Sequence, residues 1–321
     1  MHRDGSKAPL KILFFGLGSI GRRHARLISN NFDHHLFAFR NSKKSKPNKL
    51  GIKELCYWRE VKKLSPDVAF ITNPTYMHLK TAINCARLGI NLFIEKPIDC
   101  DTGRLNELIR LVRKKRLTNY IAYCMRFHPA IMQMKDYLAN KRPMHCRVTV
   151  SSYLPDWRER RDYNRIYSTQ KAKGGGVILD LSHEIDYIQY LFGDILEMQG
   201  AYGRISKLKI NCEDYADIIF KCKKGVVNLH MNFFSKNLER TVHIDFGDSS
   251  YMKADLINNV LLINKNGRER TYRYNSEWDD IYLAQLDYFF KHLNKEKIMN
   301  NLIDAGKLFR KITAFKNKYE K

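Results

Sequence analysis

Near the start of the chain, residues 10–21 read LKILFFGLGSIG. The apolar run predicts a buried strand, and a helical stretch begins where three glycines follow it in the spacing G-x-G-x-x-G: Gly16, Gly18 and Gly21. In such a unit the first glycine makes the tight turn, the second lets the backbone approach a pyrophosphate, and the third lets the helix pack on the strand. The N–H groups at the helix start, near Ser19 and Ile20, then bind the phosphates. The alternative is a tight turn that binds no ligand.

The alternation of short apolar runs and amphipathic stretches continues to residue 123. It predicts strands at residues 10–15, 35–39, 68–72, 91–94 and 120–123, and helices at 20–30, 76–88 and 102–115. Parallel strands joined by crossover helices form a doubly wound sheet. After Pro129 the pattern changes to helix, strand, Arg-rich loop and helix, then to a series of β-type runs and two final helices. Such a series indicates a mainly antiparallel sheet with helices on one face.

We therefore predict an α/β chain of two domains. Residues 1–125 form an N-terminal Rossmann domain with a doubly wound parallel sheet. Residues 126–321 form an α+β domain with a large, mainly antiparallel open sheet for substrate binding and oligomerisation, and its last helices are free to pack back on the first domain. Both faces of a large open antiparallel sheet must be accounted for, and the face without helices offers a surface for a homo-oligomer, either dimer or tetramer.

Composition excludes several classes of protein. With 44% hydrophobic residues the chain is not disordered, and no apolar stretch is long enough to span a membrane. Its seven cysteines show neither C-x-x-C pairs nor zinc spacing, which predicts no metal site, reduced thiols and a cytoplasmic location. The net charge of +24 favours anionic partners, but no nucleic-acid module accompanies it, so we expect no specific nucleic acid. The alternative is that this charge is mostly solvated surface.

The strand at residues 35–39 ends where the ribose of a bound dinucleotide lies, and NAD-specific sites usually carry Asp or Glu there. This chain has Arg40 instead, followed by Asn, Ser and two lysines. A guanidinium can pair with a 2′-phosphate, so the sequence favours NADP over NAD. The alternative is a solvated basic loop in which Arg40 contacts no ligand.

Two polar motifs follow the next strands, at the edge where open α/β sheets bind ligands. They are N-P-T-Y-M-H, with Asn73, Pro74 and His78, and E-K-P, formed by Glu95, Lys96 and Pro97. We predict that these six residues bind the cofactor. Farther on, a triple glycine precedes a predicted helix at residues 177–192 that contains Asp180 and His183. Residues three apart share one face of a helix, and a carboxylate beside an imidazole orients it and raises its basicity. The alternative is an ordinary pair near a helix N-terminus.

In this order, G-x-G-x-x-G, N-P-x-x-x-H, E-K-P and G-G-G-x-x-x-D-x-x-H-E-x-D resemble the glucose–fructose oxidoreductase / inositol dehydrogenase (Gfo/Idh/MocA) family. Residues 123–129 (YCMRFHP) and 154–157 (LPDW) are most similar to members of surface-polysaccharide or sialic-like sugar pathways. The resemblance implies an NAD(P)-dependent oxidoreductase. Such an enzyme transfers a hydride between nicotinamide and a hydroxyl or keto carbon of a sugar, sugar acid or nucleotide sugar.

The resemblance also implies residue roles. Lys96 matches the catalytic lysine of the family, Asp180 its helix aspartate and His183 its histidine, although the family usually has three residues between the last two and this chain has two. In the implied reaction His183 exchanges the proton of the substrate hydroxyl and Lys96 stabilises the developing alkoxide, while Asp180 orients one of them. Arg126 matches a position that often meets substrate.

The loop at residues 156–173 bears on the substrate. It carries arginines at 158, 160, 161 and 165, which can bind a carboxylate or phosphate if they face a sugar pocket. We therefore predict an anionic sugar that contacts five side chains: Arg126, Asp156, Trp157, Tyr163 and His183. The alternative is a surface loop with internal ion pairs.

Other functions fit parts of the pattern. A dinucleotide-binding sensor that has lost turnover needs only the glycine turn, and the shortened Asp–His spacing favours it slightly. Reduction of a non-sugar substrate, such as a tetrapyrrole or dihydrodiol, requires a more apolar pocket than this loop provides. Nucleic-acid binding through the +24 charge is a further alternative.

Overall fold

The computed structural model describes residues 8–40, 48–158, 162–295 and 297–319. The chain divides into two compact units. The first contains the chain up to Ala122 together with Tyr282–Lys307, and the second contains Tyr123–Ile281 together with the residues from Leu308 onward. Residues 282–307 thus belong to the first unit although they come late in the sequence.

The first unit contains a parallel sheet built from β1 (Lys11–Phe15), β2 (His35–Phe39), β3 (Lys53–Leu55), β4 (Val68–Ile71), β5 (Asn91–Glu95) and β6 (Asn119–Ala122). The strand order is β3-β2-β1-β4-β5-β6, and every neighbouring pair is parallel. The direction of strand addition reverses between β1 and β4. At such a switch point the carboxyl ends of the strands leave a crevice that binds ligands.

In the described ranges the α-helices are α1 (Ser19–Asn31), α2 (Trp58–Leu64), α3 (His78–Arg87), α4 (Leu105–Lys114), α5 (Pro129–Tyr137), α6 (Val177–Asp180), α7 (Ser182–Phe192), α8 (Trp278–His292) and α9 (Leu302–Tyr319). Helices cover the parallel sheet because its strands are apolar on both faces, as the full burial of β4 illustrates. Four adjacent strands each contribute one aromatic ring to a row across this sheet, with neighbouring centroids 4.3–5.5 Å apart: Phe14, Phe70, Phe93 and Tyr120.

The second unit contains an eight-stranded sheet built from β7 (Pro143–Tyr153), β8 (Ile195–Gly203), β9 (Tyr215–Cys222), β10 (Gly225–Asn232), β11 (Phe234–Phe246), β12 (Tyr251–Asp255), β13 (Val260–Lys265) and β14 (Arg268–Arg273). The order is β14-β13-β12-β11-β7-β10-β9-β8, antiparallel except between β7 and β10. Alternate residues of β9 are buried and exposed, as expected of a sheet with one covered face.

The predicted fold class is confirmed, and the differences concern individual elements. The sequence pattern missed β3, α2, β12 and β14. These elements are short or largely exposed, so they lack an apolar periodicity: β14 reads RERTYR, and α2 buries only Val61. The single helix predicted at residues 177–192 is wrong, because a break at Leu181 separates α6 from α7.

Two further observations concern the sequence-based exclusions. Within the described ranges, none of the helices has the length and apolar character that a membrane crossing requires. All seven cysteines lie in these ranges, and none of them forms a disulfide.

Candidate functional site

The turn after β1 is packed tightly against the end of β4. Gly16 has a φ of +103°, and a Cβ atom there would lie 2.7 Å from the backbone nitrogen of Asn73. A Cβ atom on Gly21 would lie 2.2 Å from the carbonyl oxygen of Gly16. The Thr72 hydroxyl donates a hydrogen bond of 2.6 Å to that same oxygen. Gly16 and Gly21 are therefore required by the chain's own packing.

Gly18 lies in the same turn but differs from its two neighbours. It precedes α1 with extended backbone angles, and a Cβ atom there would meet no atom of the described residues within 4 Å. No side chain caps α1, whose first turn also lacks an acidic residue. The first N–H groups of a helix have no intrahelical acceptor and carry partial positive charge. Open space in front of an uncapped helix N-terminus, within a G-x-G-x-x-G turn, fits the pyrophosphate of a dinucleotide.

A cavity of about 250 Å³ opens beside this turn, at the carboxyl ends of β1, β2 and β4. Its lining consists of Phe15, Gly16, Leu17, Phe39, Arg40, Asn73, Pro74 and Met77. The structure thus brings together four residues that the sequence analysis assigned to the cofactor: Gly16, Arg40, Asn73 and Pro74.

Arg40 is paired with a carboxylate that the sequence analysis did not consider. One of its terminal nitrogens lies 3.6 Å from Glu54 Oε1, which β3 presents beside the end of β2. Hydrogen bonds from Asn48, at 2.8 Å from its side chain and 2.9 Å from its backbone, lower the pKa of Glu54, and Arg40 adds to this effect. Because the three-residue β3 carries no sequence signal, Glu54 was not a candidate.

His78 and Glu95, predicted to bind cofactor, both have buried side chains that contact other parts of the chain. The two ring nitrogens of His78 lie 2.9 Å from the carbonyl oxygen of Pro97 and 2.8 Å from that of Asn73. Glu95 Oε1 lies 2.7 Å from Nε2 of His24 on α1. Lys96 follows β5 directly and is half-buried. His78 and Glu95 therefore support the loops that carry Asn73 and Lys96.

In the triple glycine of the second unit, the space beside Gly175 and Gly176 that a side chain would need is occupied by other groups of the protein. A Cβ atom on Gly175 would lie 2.5 Å from the carbonyl oxygen of Ser168. Gly176 has a φ of +113°, and a Cβ atom there would lie 2.4–2.5 Å from the carboxyl group of Glu213. Lys316 Nζ lies 2.5 Å from Glu213 Oε1. These glycines let the loop and Glu213 approach the start of α6.

Asp180 and His183 lie on different helices, which corrects the expectation that they share the face of one helix. Asp180 is the last residue of α6, Leu181 separates the helices with a ψ of 27°, and His183 is the second residue of α7. Both side chains are buried in the second unit. His183 Nε2 lies 4.0 Å from Cys124 Sγ, and the Tyr123 ring packs edge-on against the imidazole with centroids 5.7 Å apart.

Arg126, predicted to bind substrate, makes a bidentate ion pair inside the second unit. Its Nε and one terminal nitrogen each donate a 2.8 Å hydrogen bond to Asp186. Burial raises the pKa of the Asp186 carboxyl, and the guanidinium opposes that rise. Asp186 served only as a motif marker in the sequence. The pairing of Arg126 with Asp186, 60 residues apart, becomes visible only in the tertiary structure.

The other predicted substrate residues lie in a loop of short 3₁₀ turns. Trp157 packs edge-on against Phe233 with centroids 5.0 Å apart, and the Tyr163 hydroxyl accepts a 3.2 Å hydrogen bond from the backbone N–H of Lys209. Asp156 is exposed in the turn Leu154–Arg158. The predicted contributions of the arginines at 160 and 161 lie outside the described residues. In the part of the chain that is described, no three His, Cys, Asp or Glu side chains group to hold a metal ion.

Comparison with known proteins adds independent information. Residues 10–123 match an oxidoreductase family with an NAD-binding Rossmann fold, and residues 133–247 match the GFO/IDH/MocA C-terminal domain. The myo-inositol 2-dehydrogenase of Thermotoga maritima is 22% identical over 306 residues, which cover 88% of each chain. Two solved structures have the same fold. The UDP-N-acetylglucosamine 3-dehydrogenase of Acidithiobacillus ferrooxidans has a TM-score of 0.81 at 19% identity, covering 98% of this chain and 99% of its own. A levoglucosan dehydrogenase in complex with NADH has a TM-score of 0.85 at 15% identity, and the match covers 97% of this chain and 98% of the levoglucosan dehydrogenase chain.

Proposed function

Because the chain belongs to the Gfo/Idh/MocA oxidoreductase family, we propose that it is an NAD(P)-dependent dehydrogenase or reductase of sugars, sugar acids or nucleotide sugars. The observation that carries this proposal is the open space at Gly18 in front of the uncapped α1. Among the residues that the structure describes, none packs closely enough to require a glycine there, whereas close approach of a pyrophosphate does. The names of the relatives, which act on inositol, levoglucosan and a nucleotide sugar, support a sugar substrate.

The nicotinamide of the bound dinucleotide accepts or donates the hydride. In our proposal the first turn of α1 binds the pyrophosphate, and Asn73 and Pro74 form the wall of the cavity beside it. Lys96 donates a hydrogen bond to the reacting oxygen of the sugar and stabilises its developing negative charge. His183 takes the hydroxyl proton during oxidation and returns it during reduction. Asp180 orients one of these two side chains.

NADP is the proposed preferred cofactor. Arg40 lines the cavity at the end of β2, and a guanidinium binds a phosphate in a bidentate manner. The nearby Glu54 carboxylate neutralises part of this charge, so we expect the preference to be moderate. Replacing Arg40 by Ala should weaken NADPH binding about tenfold and NADH binding much less, because one charge-assisted contact is lost. Arg59→Ala, which removes an exposed arginine from α2, is the matched control.

We further propose an anionic sugar substrate and a homo-oligomer in the cytoplasm. The arginines of residues 156–173 support the first. The open face of the eight-stranded sheet supports the second, since it exposes the apolar Ile219 and Val226 beside charged groups of both signs, Arg147 and Asp245. Sedimentation of the wild type and of Ile219→Asp tests the oligomer: a monomeric wild type contradicts it.

The first experiment is a fluorescence titration of the purified protein with NADPH and NADH at low and high salt. Saturable, tighter binding of NADPH supports the proposal, and absence of binding of either dinucleotide contradicts it. A turnover screen of neutral sugars, sugar acids and nucleotide sugars follows, with His183→Ala as the inactive control. Dinucleotide binding without turnover of any sugar would instead favour the sensor, which the interrupted helix between Asp180 and His183 also supports.

A further inference from the structure

The two residues that flank Lys96 in the chain, Glu95 and Pro97, each contact a buried histidine, and the two histidines belong to different helices. We propose that His24 of α1 and His78 of α3 are positioning residues that fix Lys96 relative to the dinucleotide-binding turn. This inference rests on the proposed function, in which Lys96 contacts the reacting oxygen. All groups involved belong to the first unit.

His24 reaches the loop through Glu95. Its side chain is 0% exposed, and the rings of Phe70, Phe93 and Tyr282 surround it at centroid distances of 5.2–5.8 Å. Its Nε2 lies 2.7 Å from Glu95 Oε1. A carboxylate can only accept, so this nitrogen carries the proton. One hydrogen bond and three aromatic contacts thus hold the imidazole against Glu95.

Glu95 connects His24 to the backbone of Lys96. Its second carboxylate oxygen accepts a 3.3 Å hydrogen bond from the backbone N–H of Lys96. The carboxylate is itself buried, and a buried carboxylate that loses a donor is destabilised, so Glu95 would turn away from the loop without His24. The connection from α1 to the backbone of Lys96 therefore consists of two hydrogen bonds through Glu95.

His78 holds the other side of Lys96. Its ring is 2% exposed and faces the carbonyl oxygens of Pro97 and Asn73 from its two nitrogens. Both carbonyls can only accept, so a neutral ring makes one of these bonds and a doubly protonated ring makes both. The buried Asp99 lies on the same loop, and its Oδ2 accepts a 2.8 Å hydrogen bond from the backbone N–H of Leu79, the residue after His78.

The two histidines should affect the position of Lys96 more than the affinity of the protein for the dinucleotide. Helix α1 begins at the phosphate-binding turn and carries His24 three residues after Gly21. The same helix therefore positions the dinucleotide and, through His24 and Glu95, Lys96. Displacing a catalytic group by about 1 Å can lower the rate about 100-fold while leaving distant binding contacts in place. Loss of either histidine should therefore reduce turnover and leave dinucleotide binding intact.

The test compares His24→Leu, which removes the donor but suits the aromatic surroundings, with His24→Gln, whose amide can replace Nε2. We expect His24→Leu to lower kcat about 100-fold with KM and the Kd of NADPH within about threefold of wild type, and His24→Gln to recover most of the loss. Independently of any substrate, peptide mass spectrometry measures how fast an amine reagent labels Lys96. This rate, and its reduction by NADPH, should change several-fold in His24→Leu.

The matched control is His34→Leu. His34 also packs between aromatic rings, those of Phe32 and Phe290, but contacts the backbone of Leu10 at the amino end of β1. It should leave kcat and Lys96 labelling unchanged.

His78→Leu and His78→Gln repeat the test from α3 and replace the His24 pair if His24→Leu fails to fold. The inference is overturned if the leucine variants leave kcat and Lys96 labelling at wild-type values, or if NADPH affinity falls in proportion to turnover. Failure of the proposed function appears separately, as a wild type that binds no dinucleotide. The labelling of Lys96 without dinucleotide still tests the positioning role in that case.

Discussion

Two glycine-rich turns of this protein each lead into a helix, yet they use the space of the missing side chains in opposite ways. Before α1, the position of a Cβ atom on Gly18 is open for at least 4 Å. Before α6, the same space at Gly175 and Gly176 is filled by a backbone carbonyl of the chain and by the Glu213 carboxyl group. Within the described residues, the first turn leaves space that a ligand can enter, whereas the second turn is filled by the protein's own groups. A glycine run before a helix predicts a ligand site only where the vacated space faces outward.

The largest expected effect is a loss of stability when the glycine turn before α6 is altered. Gly176→Ala should lower the free energy of unfolding by about 2–5 kcal/mol, because it combines a strained positive φ with a clash against a buried carboxylate. Chemical denaturation measures the loss. Gly89→Ala is the control, since Gly89 has a φ of +82° with no atom near its Cβ position and so reports the strain alone. Equal losses in the two variants would remove the packing role of Gly176.

The ion pair that holds Glu213 in place gives the next effect. Lys316→Met should cost about 2–4 kcal/mol of stability, because it leaves a buried carboxylate without its cationic partner. Lys318→Met, on the exposed side of α9, should cost little. Combining Lys316→Met with Gly176→Ala should cost less than the sum, since both disturb Glu213. Strict additivity in denaturation midpoints would show that Glu213 does not couple the two residues.

A substitution at Gly18, in the turn before α1, should weaken dinucleotide binding and leave the stability of the protein unchanged. Gly18→Ala should weaken NADPH binding roughly ten- to 100-fold, because a methyl group enters a close contact, while the thermal midpoint of the ligand-free protein stays unchanged. Gly21→Ala provides the contrast, since its Cβ atom would meet the Gly16 carbonyl at 2.2 Å and should lower stability as well. A destabilised Gly18→Ala protein would show that this turn, too, is closed by the chain itself.

The smallest expected effect is on the preference between NADPH and NADH, at the end of the same site where Arg40 lies. Glu54→Gln should raise the ratio of NADPH to NADH affinity about two- to threefold, because Arg40 then keeps its full charge for a phosphate. Paired titrations of wild type and variant measure this ratio. An unchanged or lower ratio would indicate that Glu54 serves Arg40 by orienting it.

Much of this architecture was accessible from residue patterns alone. The G-x-G-x-x-G turn between an apolar strand and an amphipathic helix predicts the parallel sheet and its ligand edge, because each glycine of that motif answers a local steric demand. The apolar runs that precede Asn73 and Lys96 predict that both residues lie at strand ends, and the structure has them there. Long, strongly periodic elements such as α3 carry their own signal, whereas β3 and β14 are short or exposed and carry none.

The sequence by itself determined the class of fold, the position of the glycine turn and the strand ends that carry polar residues, since these depend on local sterics and periodicity. Only the tertiary structure decided which glycines face open space, that Arg40 meets Glu54, and that Arg126 is held by Asp186. It also showed that His24 and His78 reach the loop of Lys96 across 71 and 19 residues. The physical reason is that contacts between side chains distant in sequence depend on how strands and helices pack, and no local pattern records that packing.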